Sequence, residues 1–354
     1  MNIEKLFRPN IQAMSGYVPG EQPKGKVYIK LNTNENPYPP SAKAIEALNN
    51  FDTDRLRRYP TPASDPLVEA AAKVYGLKNS NVIAGNGSDD ILNVIFRAFL
   101  DTDETAAWLD PSYSLYPVLC DIQGAKYKGI ELDEKFEIPS DALEQAKDCK
   151  IFFITRPNAP TGNLFPKEEV ENICANFNGI VIIDEAYGDF AEDNCIDLIQ
   201  KYDNVIVTRT FSKSYSLAGM RIGLGLASEA IISGLHKVRD SYNVNFLSQV
   251  IGEAALLDQD YFNECTAKII KTREWVEEAL YDMGLVIIPS QTNFIFAKTP
   301  IEASIAFEKL RDAGYLVRYF STERCKEYLR VSIGTDEEMK GFCQALKTIL
   351  EEAK

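Results

Sequence analysis

Residues 208–223, TRTFSKSYSLAGMRIG, set one lysine, Lys213, among hydroxyls and small residues, with no acidic residue in the stretch. Thr210, Ser212, Ser214 and Ser216 flank it, and Arg221 follows. Hydroxyls with an arginine are partners for a phosphate group, and a lysine beside them can serve as a nucleophile. An ordinary Ser-rich loop has the same composition, so this stretch alone leaves both readings open.

Similar signals follow other apolar runs. NVIA is followed by GNGS and then by the helix-like SDDILNVIFRAFL. Its glycines can make a turn, Ser88 can cap, and the exposed N–H groups can form an anion site. A plain capped strand-turn-helix accounts for the same residues, and Asp89 and Asp90 suit its first turn. After IFFIT comes RPNAPTG, which places Asn158 between two prolines. After IVII comes Asp184, then Glu185 and Tyr187. A carboxylate ending a fully apolar strand is costly unless something cationic meets it. The single histidine, His236, lies in SEAIISGLHKVRD and reads as a solvated helix residue beside Lys237 and Arg239. A Ser-His-Asp triad or a His-built zinc site would rest on that residue alone, so the chemistry falls to Lys, Asp, Tyr or Arg.

These residues need a frame. The chain has 354 residues, 45% hydrophobic and 25% charged, ample for a large core and unlike a disordered chain. Lys+Arg number 38 against 52 Asp+Glu, a net charge of −14 with no basic run, which disfavours nucleic acid as a partner. Seven cysteines show no C-x-x-C pair and no metal spacing; they read as reduced core and surface thiols, and no metal site is expected. No signal-like segment or membrane-length apolar run is visible, so the expectation is a cytoplasmic protein with no membrane association. From about Asp65 short apolar runs alternate with amphipathic stretches, and IFFI and IVIID read as strands buried on both faces. After about Asn245 the pattern changes to a long amphipathic segment, short strands and terminal helices. The expected architecture is α/β: a mostly parallel central sheet sandwiched by helices over 46–245. A smaller α+β lobe would be built from 1–45 and 246–354. Ligands of such sheets bind beyond the carboxyl ends of the strands, which is where all the signals above emerge.

Pyridoxal phosphate accounts for them together: its aldehyde takes a lysine, its ring nitrogen an acid, its phosphate hydroxyls, N–H groups and an arginine. The chain resembles the fold-type I pyridoxal-phosphate aminotransferases, and within them the histidinol-phosphate aminotransferase family. The resemblance runs nearly end to end, through LNTNENPYPP, RRYPTP, GNGSDD, DPSYSLY, RPNAPTGN, VIIDEAYGDF, RTFSKSYSLAGMRIG and YLRVSIGT in order. It implies that Lys213 carries the cofactor and moves the α-proton, that Asp184 pairs with the ring nitrogen, and that Tyr187 and Asn158 bond the ring oxygen. It gives Tyr113 a stacking role and assigns the phosphate to Gly87, Ser88, Thr210, Ser212 and Arg221. Tyr59 would reach the neighbouring subunit of a homodimer with shared sites. Tyr17, Asn36, Arg318 and Arg330 fall at substrate positions. Departures are modest: Ala159 within RPNAPTG, and Ser214, Tyr215 and Ser216 after the lysine.

The implied reaction takes the amino group of L-histidinol phosphate and passes it to 2-oxoglutarate. The same scaffold serves aromatic amino-acid aminotransferases and threonine-phosphate decarboxylases. A non-catalytic cofactor-sensing domain would need a DNA-binding module, and none is expected here.

Overall fold

Continuous apolar runs pair with one another because only the interior of a sheet buries both of their faces. In the computed structural model, which describes residues 3–22, 25 and 27–353, these runs become the middle of a seven-stranded sheet. Strand β1 (Ile29–Lys30) lies outside it. The large sheet holds β2 (Val82–Gly85), β3 (Thr105–Asp110), β4 (Lys126–Glu131), β5 (Ile151–Thr155), β6 (Ile180–Asp184), β7 (Val205–Thr210) and β8 (Gly223–Ala227), in spatial order β2-β8-β7-β6-β5-β3-β4. All are parallel except β8, which runs antiparallel to both of its neighbours, β7 and β2. Alternate residues enter opposite cores: Phe152, Ile154, Val181 and Ile183 face one, Ile151, Phe153, Ile182 and Ile206 the other. The edge strand β4, KYKGIE, is mostly exposed, and its lysines keep that edge from pairing with another chain.

The C-terminal lobe is a separate apolar cluster around Phe294, Ile295, Val331 and Phe342. Its sheet comprises β9 (Val286–Ile288), β10 (Phe294–Lys298), β12 (Arg318–Tyr319) and β13 (Tyr328–Ser332), antiparallel in the order β12-β13-β10-β9. The amphipathic helix Gln259–Asp282 packs Cys265, Ile269, Val276 and Leu280 against it. β11 (Tyr315–Leu316) pairs in parallel with β1, so the N-terminal segment joins the C-terminal lobe.

Several details differ from expectation. Ser88 is the first residue of the helix Ser88–Phe99 and does not cap it; Gly87 holds the cap position, and Asp90 accepts from Asn86 N–H at 2.8 Å. All seven cysteines are buried, none at the surface. His236 is half-buried and accepts from Arg239 Nε at 2.9 Å; burial, then the Arg239 charge, lowers its pKa.

Candidate active site

Parallel register brings three strand ends level. Thr155 of β5, Asp184 of β6 and Thr208 of β7 are direct cross-strand neighbours. Asp184 is therefore reached from both sides: Thr208 Oγ1 donates to it at 2.9 Å and Tyr116 Oη at 2.8 Å, with Ala186 N–H at 3.3 Å. Tyr116 Oη also lies 2.9 Å from Thr155 Oγ1. Among protein groups, hydroxyls meet Asp184, and they hold a carboxylate that is only 3% exposed. Burial raises its pKa, and the Tyr116 and Thr208 bonds oppose that rise.

Lys213 lies in the loop by which β7 turns back into β8, where Phe211 N–H donates to the Ile222 carbonyl at 3.0 Å. Its Nζ donates to the Thr33 carbonyl at 2.9 Å and stands 5.8 Å from the Tyr187 ring centre. Burial lowers its pKa to about 8, assisted by the positive charges of Arg330 and Arg221. The loop is anchored below: Ser214 Oγ donates to Asp189 at 2.5 Å, Asp189 also pairs with the buried Arg209, and Arg209 holds Glu185 at 2.8 Å.

The reversal of β8 delivers Arg221 to the start of the Ser88–Phe99 helix. Glycine is required at two places there. A Cβ on Gly87, at φ 90°, would stand 2.5 Å from Arg221 Nη2, and one on Gly223 would stand 2.3 Å from Ser88 N. Ser88, Thr210, Ser212 and Arg221 thereby share one corner of the cavity. The bonds of Arg221 there, to Asp89 and Ser212 at 3.3 Å and to the Ala218 carbonyl at 3.4 Å, are long and weak. Its Nε makes no bond among the described residues, and the three bonds of its Nη groups can yield to a better acceptor.

The opposite wall comes from the small lobe. Arg318 and Arg330 are direct partners across β12 and β13. Arg330 Nη2 donates to the Asn32 carbonyl at 3.0 Å, its Nε is buried without a partner, and neither arginine forms an ion pair among the described residues. Burial, then the charge of Arg318 against the opposing pull of Tyr187, lowers the Arg330 pKa. The cavity between the walls encloses about 840 Å³. Tyr17 and Tyr113 meet edge to face at its mouth, ring centres 6.0 Å apart, and Tyr113 Oη donates to Asp89 at 3.1 Å.

Of the residues singled out from sequence, the cavity is lined by Tyr17, Ser88, Tyr113, Asp184, Tyr187, Thr210, Ser212, Lys213, Arg221, Arg318 and Arg330. Four stand elsewhere. Gly87 backs Arg221. Asn158 lies fully buried behind the wall, donating to the Pro111 carbonyl at 3.1 Å and Thr161 Oγ1 at 2.7 Å, with its Oδ1 unpartnered. Asn36 is also off the cavity wall; its amide donates to the carbonyls of Lys213 at 2.9 Å and Ser214 at 3.2 Å, holding the lysine's backbone. Tyr59 is 78% exposed and stacks on Tyr242, ring centres 4.5 Å apart, beside a second, open cavity. Sequence reasoning missed Tyr116 and Thr208, which hold Asp184, and Asn34, which donates to Tyr187 Oη at 2.9 Å. Thr208 left a signal of its own, a polar residue two places inside the end of an apolar strand, while Tyr116 and Asn34 stand within DPSYSLY and LNTNENPYPP without a role assigned to them.

Comparison with known proteins agrees with this geometry. The family profile described as aminotransferase class I and II matches residues 26–346. Histidinol-phosphate aminotransferase from Citrifermentans bemidjiense is 46% identical over 345 residues, covering 97% of this chain and 98% of that protein. The enzyme of the same name from Rippkaea orientalis is 43% identical over 344 residues, covering 97% and 98%. Among solved structures, histidinol-phosphate aminotransferase from Sinorhizobium meliloti in complex with pyridoxal-5'-phosphate superposes with a TM-score of 0.90 at 25% identity, covering 98% of both chains.

Proposed function

The chain belongs to the class I and II aminotransferases, and we propose that it binds pyridoxal 5'-phosphate and transfers the amino group of L-histidinol phosphate to 2-oxoglutarate. The products are imidazole-acetol phosphate and L-glutamate. The residues present fit the cofactor. Arg221, with weak contacts of its own, and Ser88, Thr210 and Ser212 supply donors for a phosphate at a helix N-terminus. Asp184, buried and met by hydroxyls and a backbone N–H, is suited to a cationic ring nitrogen. Tyr113 and Tyr187 line the cavity and suit stacking and the ring oxygen, whereas Asn158, given the same oxygen by the resemblance, lies behind the wall with its amide nitrogen already engaged. When bound, the cofactor supplies an aldehyde that takes up an amine and a ring that accepts the electrons left by a departing proton.

The protein's own residues do the rest. Lys213, with a pKa lowered to about 8, has an appreciable neutral fraction near neutral pH, as a nucleophile and base requires. Tyr116 and Thr208 donate to Asp184 and oppose the rise in its pKa that burial causes. The observation that carries the substrate reading is the pair Arg318–Arg330, set side by side across two strands and facing the cavity without a carboxylate partner among the described residues. Adjacent like charges are costly unless an anion joins them, and a phosphate dianion can engage both. Tyr17 stands at the same mouth. Asn36 serves by holding the Lys213 backbone rather than by touching substrate.

The reading extends to a homodimer with shared sites, supported by the exposed Tyr59–Tyr242 stack beside exposed Leu56. It also extends to a large cofactor-binding domain over 46–245, with 1–45 and 246–354 forming the small one. Seven buried free thiols suit a cytoplasmic setting, and among the described residues no helix is long and apolar enough to cross a membrane. The test is a product assay with pyridoxal 5'-phosphate, L-histidinol phosphate and 2-oxoglutarate. Glutamate formation is expected, at a rate far above that with phenylalanine or tyrosine. Preference for the aromatic amino acids, or carbon dioxide released from threonine phosphate, would overturn the substrate assignment.

A further inference from the structure

Three consecutive residues of the N-terminal segment each touch a different side chain of the cavity. The Asn32 carbonyl accepts from Arg330 Nη2 at 3.0 Å, the Thr33 carbonyl from Lys213 Nζ at 2.9 Å, and Asn34 Nδ2 donates to Tyr187 Oη at 2.9 Å. Asn34 permits this convergence by adopting φ 55°, a left-handed conformation that asparagine tolerates better than most residues. It is 1% exposed, and each of its polar atoms has a partner. Its N–H donates to Ser332 Oγ at 2.9 Å, its carbonyl accepts from Asn293 Nδ2 at 3.0 Å, and its Oδ1 accepts from Ser332 Oγ at 2.8 Å.

These contacts decide which way the amide points. The Ser332 hydroxyl accepts from the Asn34 N–H and donates to Asn34 Oδ1, its only acceptor among the described residues; turning the amide over would leave that hydroxyl proton without one. That assigns Oδ1 to Ser332 and leaves Nδ2, which can only donate, against Tyr187. Tyr187 Oη therefore accepts from Asn34, and its own proton must leave in another direction. No protein acceptor takes it among the described residues, and Tyr187 lines the cavity.

We propose that Asn34 is a positioning residue: by donating to Tyr187 it commits the phenol proton to the cavity, where a bound cofactor receives it. This presupposes the cofactor reading above and adds to it a residue that acts only through Tyr187. A carboxylate in place of the amide would reverse the polarity of the contact and draw the phenol proton away from the cavity.

The test uses the full chain loaded with pyridoxal 5'-phosphate, as wild type, Asn34→Asp, Tyr187→Phe and the double variant. The readouts are the pH midpoint of the visible absorption band and the dissociation constant of the cofactor. A proton donor facing the bound chromophore favours its deprotonated form, so losing that donor raises the midpoint. Asn34→Asp is expected to raise it by about one unit, and to move it by less than about half as much in the Tyr187→Phe background. Equal shifts in both backgrounds would reveal a direct effect of the new carboxylate and overturn the proposal. A lowered unfolding temperature with an unmoved midpoint would show a structural role only and also overturn it. If Asn34→Asp does not fold, Ser332→Ala frees the amide to turn and is expected to raise the midpoint by a smaller amount; a wild-type midpoint there overturns the proposal. A wild-type protein showing no band with excess cofactor would refute the cofactor reading itself, a result separate from any of these.

Discussion

Asp184 and Arg330 face the same cavity from opposite walls, yet their surroundings treat them oppositely. Asp184 ends a strand in the middle of a parallel sheet, and two hydroxyls and a backbone N–H satisfy it before any ligand arrives. Arg330 sits on a short antiparallel sheet opposite a second arginine, bonds one carbonyl, and leaves its Nε buried and unpartnered. The difference separates two tasks. The large sheet fixes groups whose positions must not depend on substrate, which is the preorganisation that catalysis draws on. The small-lobe wall leaves its cations without carboxylate partners among the described residues, which under the proposed function is what a matching anion would supply.

That contrast can be broken at either wall. The largest effect is expected from Lys213→Met, which removes the group on the large-sheet side to which the proposed reaction assigns proton transfer. Turnover should fall on the order of 10⁴-fold or more, measured as kcat with saturating cofactor and both substrates. Retention of more than a few per cent of activity would remove Lys213 from its role. On the other wall, Arg330→Lys keeps the charge and discards the planar fork. The expected change is a rise in KM for the phosphorylated substrate of roughly 10- to 100-fold, about 1.4–2.8 kcal/mol, with a smaller change in kcat. A kcat loss with unchanged KM would mean that the two walls do not divide the tasks in this way.

The same lysine makes a stability prediction whose sign follows from its burial. Its folded pKa, about 8, lies below the unfolded value of 10.5, so between those pH values the unfolded chain binds more protons than the folded one. Stability of the cofactor-free protein attributable to this group therefore rises with pH across that window and is lowest below pH 8. Lys213→Met should unfold at higher urea concentration than wild type at pH 7, with the gap closing as pH approaches 10.5. A gap independent of pH would show that Lys213 is not held with a lowered pKa.

The smallest effect is expected within the lysine loop. Ser216 takes φ 58°, and its hydroxyl is buried without a partner. Ser216→Gly should remove both penalties and stabilise by about 1 kcal/mol, read as a shift in the urea midpoint at constant slope.

The division between the walls also marks what could be seen in the sequence. β5, β6 and β7 announce themselves as unbroken apolar runs, so the residues that follow them, Asp184 and Lys213 above all, can be assigned to one edge of one sheet from local pattern alone. Tyr116 and Asn34 cannot. Their value lies in register and in long-range contact, 68 positions from Asp184 in one case and 153 from Tyr187 in the other, and local pattern holds no record of either. The hydroxyls that reach Asp184 are hidden for the same reason: they come from a neighbouring strand and a distant helix. Asn36 falls at a substrate position by resemblance, and the bond of its amide to the Lys213 backbone is again a long-range contact that local pattern does not record. The small-lobe arginines were legible only as isolated residues; that they are cross-strand partners follows from the pairing of β12 with β13.

The most direct measurement is the absorbance spectrum of the cofactor-loaded protein before and after L-histidinol phosphate is added without any keto acid. If Lys213, Asp184 and the two arginines act together, the visible band collapses to the amine form of the cofactor, and 2-oxoglutarate restores it. A band that persists in histidinol phosphate but responds to an aromatic amino acid would contradict the assignment of Arg318 and Arg330 to a phosphate.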